Sequence, residues 1–288
     1  MREFPVFVPF REEHMAAVFT VPDGDSRGLV LLVTGTGAVR SHRFQMWTRT
    51  ARALAAHGLA SVRLDYVGMG DSTGDVLDWN WSIVPDLLEQ AIAVTRTGME
   101  ALGVERLAVA GNCLGSLLSL YFAAEVPECV ASVAILPPLY EVNALTGFRR
   151  RARHWKIASL IKSSPLGRRF LVRPVRQLEG RVNRGVADRF GRALAGGPML
   201  FMYGDRDDSW GKRVRARLNE MLARVPAEHR DRFELEVLPD VLLSGFESLD
   251  LQRHTIDAVV RFIVRAFDEA APGVRSAEAA SVSSRLDA

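Results

Sequence analysis

The chain has 288 residues, of which 48% are hydrophobic and 25% charged, with a formal net charge of +3. That is enough apolar material for one large α/β domain carrying an insertion, so no partner is needed to complete a core. Two cysteines exclude a disulfide framework, and no stretch reaches the roughly 20 apolar residues of a membrane span. No Cys or His spacing fits a structural metal, and the first residues lack the apolar core of a signal peptide, so we expect a cytoplasmic protein without metal or cofactor.

Two short alternating segments open the chain, over 5–10 and 15–21, separated by polar Arg11-Glu12-Glu13 and closed by Pro22-Asp23-Gly24-Asp25. They predict a hairpin. Beyond them apolar strands alternate with amphipathic helices: strand 29–33, helix 43–57, strand 60–64, helix 83–97, strand 107–110, helix 117–126 and strand 130–136. Strands that are apolar on both faces and separated by helices predict a parallel sheet covered on both sides. Residues 138–196 break the rhythm and read as an inserted lid. Alternation resumes with strand 198–203, helix 212–225, strand 233–238 and a closing helix 250–267, and the Ala-, Ser- and Gly-rich stretch 269–288 predicts a disordered tail. The core is therefore expected over 1–137 and 197–268.

Gly111-Asn112-Cys113-Leu114-Gly115 joins a strand to a helix, which places a cysteine where the chain must turn most sharply. Glycines two residues to either side meet a steric need, because a tight strand-to-helix turn brings neighbouring backbone too close for side chains. The sulfur would stand at a helix N-terminus, where unpaired N–H groups and the helix dipole favour a thiolate. Cys129 opens another apolar strand and reads as core packing.

Three local patterns together resemble the α/β-hydrolase superfamily over roughly residues 4–268. They are Leu31-Leu32-Val33-Thr34-Gly35-Thr36-Gly37, similar to its strand and oxyanion loop, Gly68-Met69-Gly70-Asp71-Ser72-Thr73-Gly74, similar to its Gly-x-Gly-Asp-Ser loop, and the elbow itself. Arg40-Ser41-His42-Arg43 with the cysteine elbow is further similar to hydrolase-like proteins found beside exosortase systems. The resemblance implies an α/β-hydrolase fold with a helical lid. It also implies an oxyanion hole in which the N–H of Leu114 is joined by a donor at Thr36 or Gly37, though a plain glycine turn would read the same. The Gly-x-x-Asp pattern after strand 198–203 maps the family's acid onto Asp207, with Asp205 and Asp208 as competitors.

The family's histidine should follow the last strand, where this chain has Ser244-Gly245-Phe246 instead of His-Gly-Phe. A serine cannot act as a general base near neutral pH. His254 is the nearest substitute, yet it shares a helix stripe with Ala258, Arg261 and Arg265 on what reads as the solvent side. His42 follows the oxyanion loop; it is either part of a first helical turn capped by Ser41, or a substrate contact or displaced base with Arg43 or Arg40 beside it for an anionic group.

A thiol can attack an activated acyl group without much help, whereas discharge to water without a base is slowed about a hundredfold or more. We therefore expect an acyl-transfer enzyme, acyltransferase- or thioesterase-like, acting on an ester or thioester, in preference to simple hydrolysis. A non-covalent eliminating or cyclising enzyme and a pseudoenzyme or binding module are the alternatives. Fourteen Lys or Arg fall between Phe148 and Arg192 against only Glu179 and Asp188. Such a cationic lid suits coenzyme A, an acyl carrier protein or an anionic membrane surface, or is simply a solvated face. Nothing motif-like accompanies the charge, so nucleic acid is not expected.

Overall fold

The computed structural model describes residues 1–35, 39–75, 84–140, 184–207 and 209–270. Eight strands form one sheet in the order β1-β2-β4-β3-β5-β6-β7-β8. They are β1 (Arg2–Phe10), β2 (Glu13–Val21), β3 (Leu29–Val33), β4 (Ala60–Leu64), β5 (Leu107–Asn112), β6 (Cys129–Ile135), β7 (Met199–Gly204) and β8 (Phe233–Leu238). β1 pairs antiparallel with β2 and β2 with β4, and the pairings from β4 through β8 are parallel. This is the architecture the alternation predicts.

Burial follows position in the sheet. β3, β4, β5 and β7 are buried along their whole length, as strands covered on both faces must be. β1 is a largely exposed edge, and Pro5 and Pro9 within it remove donors that would otherwise invite another strand. Cys129 is buried as expected, and desolvation pushes its thiol up to about 12.

The helices are α1 (Met46–Ala56), α2 (Val84–Leu102), α3 (Leu114–Glu125), α4 (Arg184–Gly196), α5 (Lys212–Ala223), α6 (Ala227–Arg230) and α7 (Leu249–Glu269). Two depart usefully from expectation. The helix expected over 43–57 begins instead with a separate 3-10 turn at Arg43–Gln45, because Phe44 and Gln45 have φ of 53° and 56° and break the helical path. The last thirteen residues of the insertion expected over 138–196 form α4, whose Val186, Phe190, Ala193 and Leu194 are buried. This stripe at helical spacing is core, and the arginines between its members disguise it in the sequence. Arg189 and Arg192 pair with Glu125 of α3, so these two cations serve a packing contact between helices.

The remainder of the expected lid, 141–183, and the expected tail, apart from Glu269 at the end of α7 and Ala270 after it, lie outside the described residues. The carboxyl ends of the parallel strands, Val33, Asn112, Ile135, Gly204 and Leu238, fall along one edge of the sheet. In sheets of this kind the ligand crevice lies beyond that edge.

Candidate active site

Between β5 and α3 the chain turns on a single residue. Cys113 has φ 54° and ψ −119°, a conformation strained for any residue with a Cβ, and its thiol is exposed. Its N–H donates to the Ile135 carbonyl at 2.9 Å and its carbonyl accepts from the Ser116 N–H at 3.1 Å, so both sides of the bend are held.

Glycine is required around it for steric reasons. A Cβ on Gly111 would collide with the Gly115 carbonyl, and one on Gly115 would stand 2.7 Å from the carbonyl oxygens of Val33 and Thr34. Gly35 is a third crowded position, since a Cβ there would lie 2.9 Å from the Cys113 Cβ. The loop after β3 is thus pressed against the elbow. Leu114 opens α3, where its N–H has no intrahelical acceptor and no side chain caps the helix. The other expected oxyanion residues, Thr36 and Gly37, lie outside the described residues.

Of the three candidate acids, Asp207 is buried, Asp205 is exposed and Asp208 lies outside the described residues. The Asp207 carboxylate accepts backbone N–H bonds from Gly204 at 3.1 Å, Leu243 at 2.8 Å and Ser244 at 3.1 Å. It therefore pins the loop after β8 at the position where the family's histidine would stand. The side chain there is Ser244, which is exposed. With no imidazole to orient, the acid fixes the loop that leads to Phe246.

Phe246 is buried, and it meets His42 edge-on with ring centroids 5.5 Å apart. Trp47 packs on the same imidazole at 5.9 Å. His42 is only 8% exposed, and its Nε2 lies 2.8 Å from Nδ2 of Asn112, the chain neighbour of the cysteine. Burial drives the imidazole pKa down to about 4, so the ring is neutral near pH 7. The helix-capping alternative for this segment fails, because neither the 3-10 turn nor α1 has a side-chain cap. Arg43 is exposed and its guanidinium lies over the Phe44 ring.

The segment carrying His42 is anchored from below. The backbone N–H of Arg40 donates to Oδ1 of buried Asp65 at 2.6 Å, and its guanidinium bonds both Asp65 and Asp71, the latter at 2.6 Å. A Cβ on Gly70 would strike the Asp65 carboxylate, which explains the glycine in Gly68-Met69-Gly70-Asp71. That loop, singled out in the sequence only by resemblance, thus has a definite structural task. Asn112, Asp65 and Phe246 were not predicted as site residues, although Asn112 lay within the elbow and Phe246 within the Ser244-Gly245-Phe246 segment.

His254 is corrected as a catalytic candidate. It lies on the exposed face of α7 and bonds Glu236 of edge strand β8, away from the elbow, as its helix stripe indicated. A cleft of about 650 Å³ lies beyond the Arg40 loop and is lined by Glu3, Val18, Arg40, Thr48, Arg63 and Asp71 among others. Cys113 does not border it, and the candidate site is located by the chemistry of the elbow. Among the described residues no group of three or more His, Cys, Asp or Glu could hold a metal, and no helix is long and apolar enough to cross a membrane.

The family profile described as alpha/beta hydrolase fold matches residues 28–209. No curated protein matches the sequence. Among solved structures, an alpha/beta hydrolase, GrgF, from Penicillium sp. sh18 is 15% identical, with TM-score 0.64 over 93% of this chain and 100% of that one. A dienelactone hydrolase from Anabaena variabilis is 16% identical, with TM-score 0.62 over 92% and 97%. A carboxyl esterase from Bacillus coagulans is 13% identical, with TM-score 0.65 over 93% and 99%. At such identities these likenesses speak for the fold.

Proposed function

Because this chain belongs to the alpha/beta hydrolase fold family, we propose that it is an acyl-transfer enzyme in which Cys113 forms a thioester with the acyl group of an ester or thioester substrate. The observation that carries this function is the exposed thiol on a strained bend between Gly111 and Gly115, at the uncapped N-terminus of α3. A residue held in that conformation costs stability, and such strain at an exposed thiol supports a role for the sulfur in meeting a ligand. The Leu114 N–H is the donor for the oxyanion, and each such donor contributes about 3 kcal/mol to an acyl-transfer transition state.

Ser244 in place of a histidine makes water a poor acceptor, which favours transfer to an amine, a thiol or an oxygen within the substrate. The basic stretch 149–181 suits an acyl group delivered on coenzyme A or a carrier protein, with the cytoplasm as the matching compartment. The narrower likeness to exosortase-associated proteins is compatible with this function.

Intact-protein mass spectrometry after exposure to a panel of acyl-coenzyme A thioesters and p-nitrophenyl esters tests it. An acyl adduct is expected on the wild type, with none on Cys113→Ala and, on Cys113→Ser, one formed more slowly. Product formation that persists in Cys113→Ala would point instead to the non-covalent eliminating or cyclising chemistry, and no turnover with any donor would leave a binding module.

A further inference from the structure

Ser244 leaves open which group moves the proton of the thiol. We propose that His42 is the general base for Cys113 and that Asn112 is the positioning residue that orients its ring, so that the base reaches the elbow from the loop after β3 rather than after β8. This assignment rests on Cys113 being the nucleophile.

Four observations converge on it. His42 is the histidine that the structure places at the carboxyl edge of the sheet beside the elbow; among the other described ones, His14 lies in β2, His57 ends α1, His229 lies in α6 and His254 faces outward from α7. Its backbone is strained, with φ 59°, and Phe44 and Gln45 nearby are at 53° and 56°. Strain of this density persists only where the surroundings over-determine it. Here Trp47, Phe246 and the Arg40–Asp65 pair do so.

The third observation is the hydrogen bonding. One ring nitrogen, Nε2, is bonded to the Asn112 amide, and the ring also has a hydrogen-bonding interaction with the Arg43 backbone, while Nδ1 and Asn112 Oδ1 are buried without a partner of good geometry. Buried polar atoms usually find a partner, so these two call for an explanation. Rotating the amide by 180° leaves its fit unchanged, puts Oδ1 on Nε2–H and leaves a lone pair on Nδ1. That is the tautomer a base requires. Fourth, Asn112 and Cys113 are consecutive, so the group that orients the ring is built into the nucleophile's own turn.

In the reaction the Sγ–H proton passes to Nδ1 as sulfur attacks the acyl carbon. Collapse of the adduct breaks the bond from that carbon to the leaving oxygen or sulfur, which takes the proton from Nδ1. The N–H, S–H or O–H of an acceptor bound against the ring then yields its proton to Nδ1, which is buried away from bulk water, while its heteroatom attacks the thioester carbon. The C–S bond breaks and the proton returns to sulfur. The thiol is not bonded to Nδ1 in this structure, and such pairs commonly close only when substrate is bound.

The electrostatics set the pH signature. Burial disfavours the imidazolium most, a hydrogen bond with the Arg43 backbone offsets part of this, and the Arg43 charge adds a smaller unfavourable effect. The other groups packed on the ring, Trp47, Phe246 and Asn112, are uncharged, and Asp207 is turned to backbone amides. The imidazole is therefore neutral at rest and free to take the proton of the thiol as attack proceeds. A base that stays unprotonated to about pH 4 keeps acylation flat with pH, whereas an unassisted thiol follows its thiolate fraction, about tenfold per pH unit.

The test is the rate of Cys113 acylation by acetyl-coenzyme A, or by p-nitrophenyl acetate, read by quenched intact mass between about pH 5 and 8. The wild type is expected to show a plateau. His42→Gln, checked for folding by circular dichroism, should lose about a hundredfold at pH 6 and acquire the rising thiolate slope. Asn112→Ala should tilt the profile the same way to a lesser degree, which a packing role alone would not do. A thiolate slope already present in the wild type overturns the assignment of the base while leaving the nucleophile intact, and this outcome does not depend on any variant folding. Equal plateaus in wild type and His42→Gln overturn it too. No adduct at Cys113 under any condition removes the acyl-enzyme itself, and the base with it.

Discussion

At the scale of single residues, one substitution separates this site from the hydrolytic pattern of its family. Asp207 accepts three backbone N–H bonds, including one from Ser244 to Oδ1. A carboxylate has about four acceptor positions, so one remains for an imidazole N–H. Ser244→His should therefore place an oriented base beside the acid and shorten the acyl-enzyme lifetime in water about a hundredfold. Decay of the mass adduct after removal of donor measures this, and an unchanged lifetime would mean that the side chain at 244 does not reach the acyl group. The strained bend at Cys113 and the buried carboxylate of Asp207 were legible in the sequence, the first from the glycines flanking a cysteine and the second from the resemblance of Gly204-Asp205-Arg206-Asp207 to a family pattern. His42 and Asn112 were legible only as residues. Their bond spans 70 positions of chain and is made by the fold.

At the scale of elements, the loop from β3 to α1 is the working part, and it is held by charge. The Asp65 side chain is fully buried and pairs with Arg40, which is about a quarter exposed. Removing one partner of a buried ion pair strands the other, and here two backbone donors, Arg40 and Asp71, remain on the carboxylate. Arg40→Ala should cost about 3 kcal/mol, the lower end for such a pair. It should also slow acylation, because the same segment presents His42. Arg52→Ala, which removes an exposed pair with Glu3, should cost less than about 1 kcal/mol. Urea denaturation compares the two, and equal costs would mean the Arg40 pair is no better than a surface one. Periodicity predicted the sheet and most helices because burial on both faces writes itself into apolar runs. It missed α4, where Val186, Phe190, Ala193 and Leu194 form a stripe amid arginines, and the 3-10 turn, where positive φ at non-glycine residues leaves no sequence mark.

At the scale of the whole molecule, the buried imidazole couples the site to folding. His42 titrates near 6.5 in the unfolded chain and at about 4 in the folded one. Its folded pKa is depressed, so between these values the unfolded chain binds the extra proton and stability rises with pH. The contribution is complete above about pH 6.5, falls away as the pH drops toward 4, and amounts to about 3 kcal/mol in all. Carboxylates held low by arginines, such as Glu3 and Glu125, lose their contribution only below their ordinary value of 4.5, and both are too exposed for it to be large. The window between about pH 4.5 and 6.5 thus belongs chiefly to His42. Urea midpoints of the wild type should decline through it on acidification, while those of His42→Gln, offset by a constant loss of packing against Trp47 and Phe246, should stay nearly level. Parallel declines in the two proteins would show that the ring is protonated as readily in the folded state as in the unfolded one, and the buried, neutral imidazole required for the flat acylation profile would be lost with it.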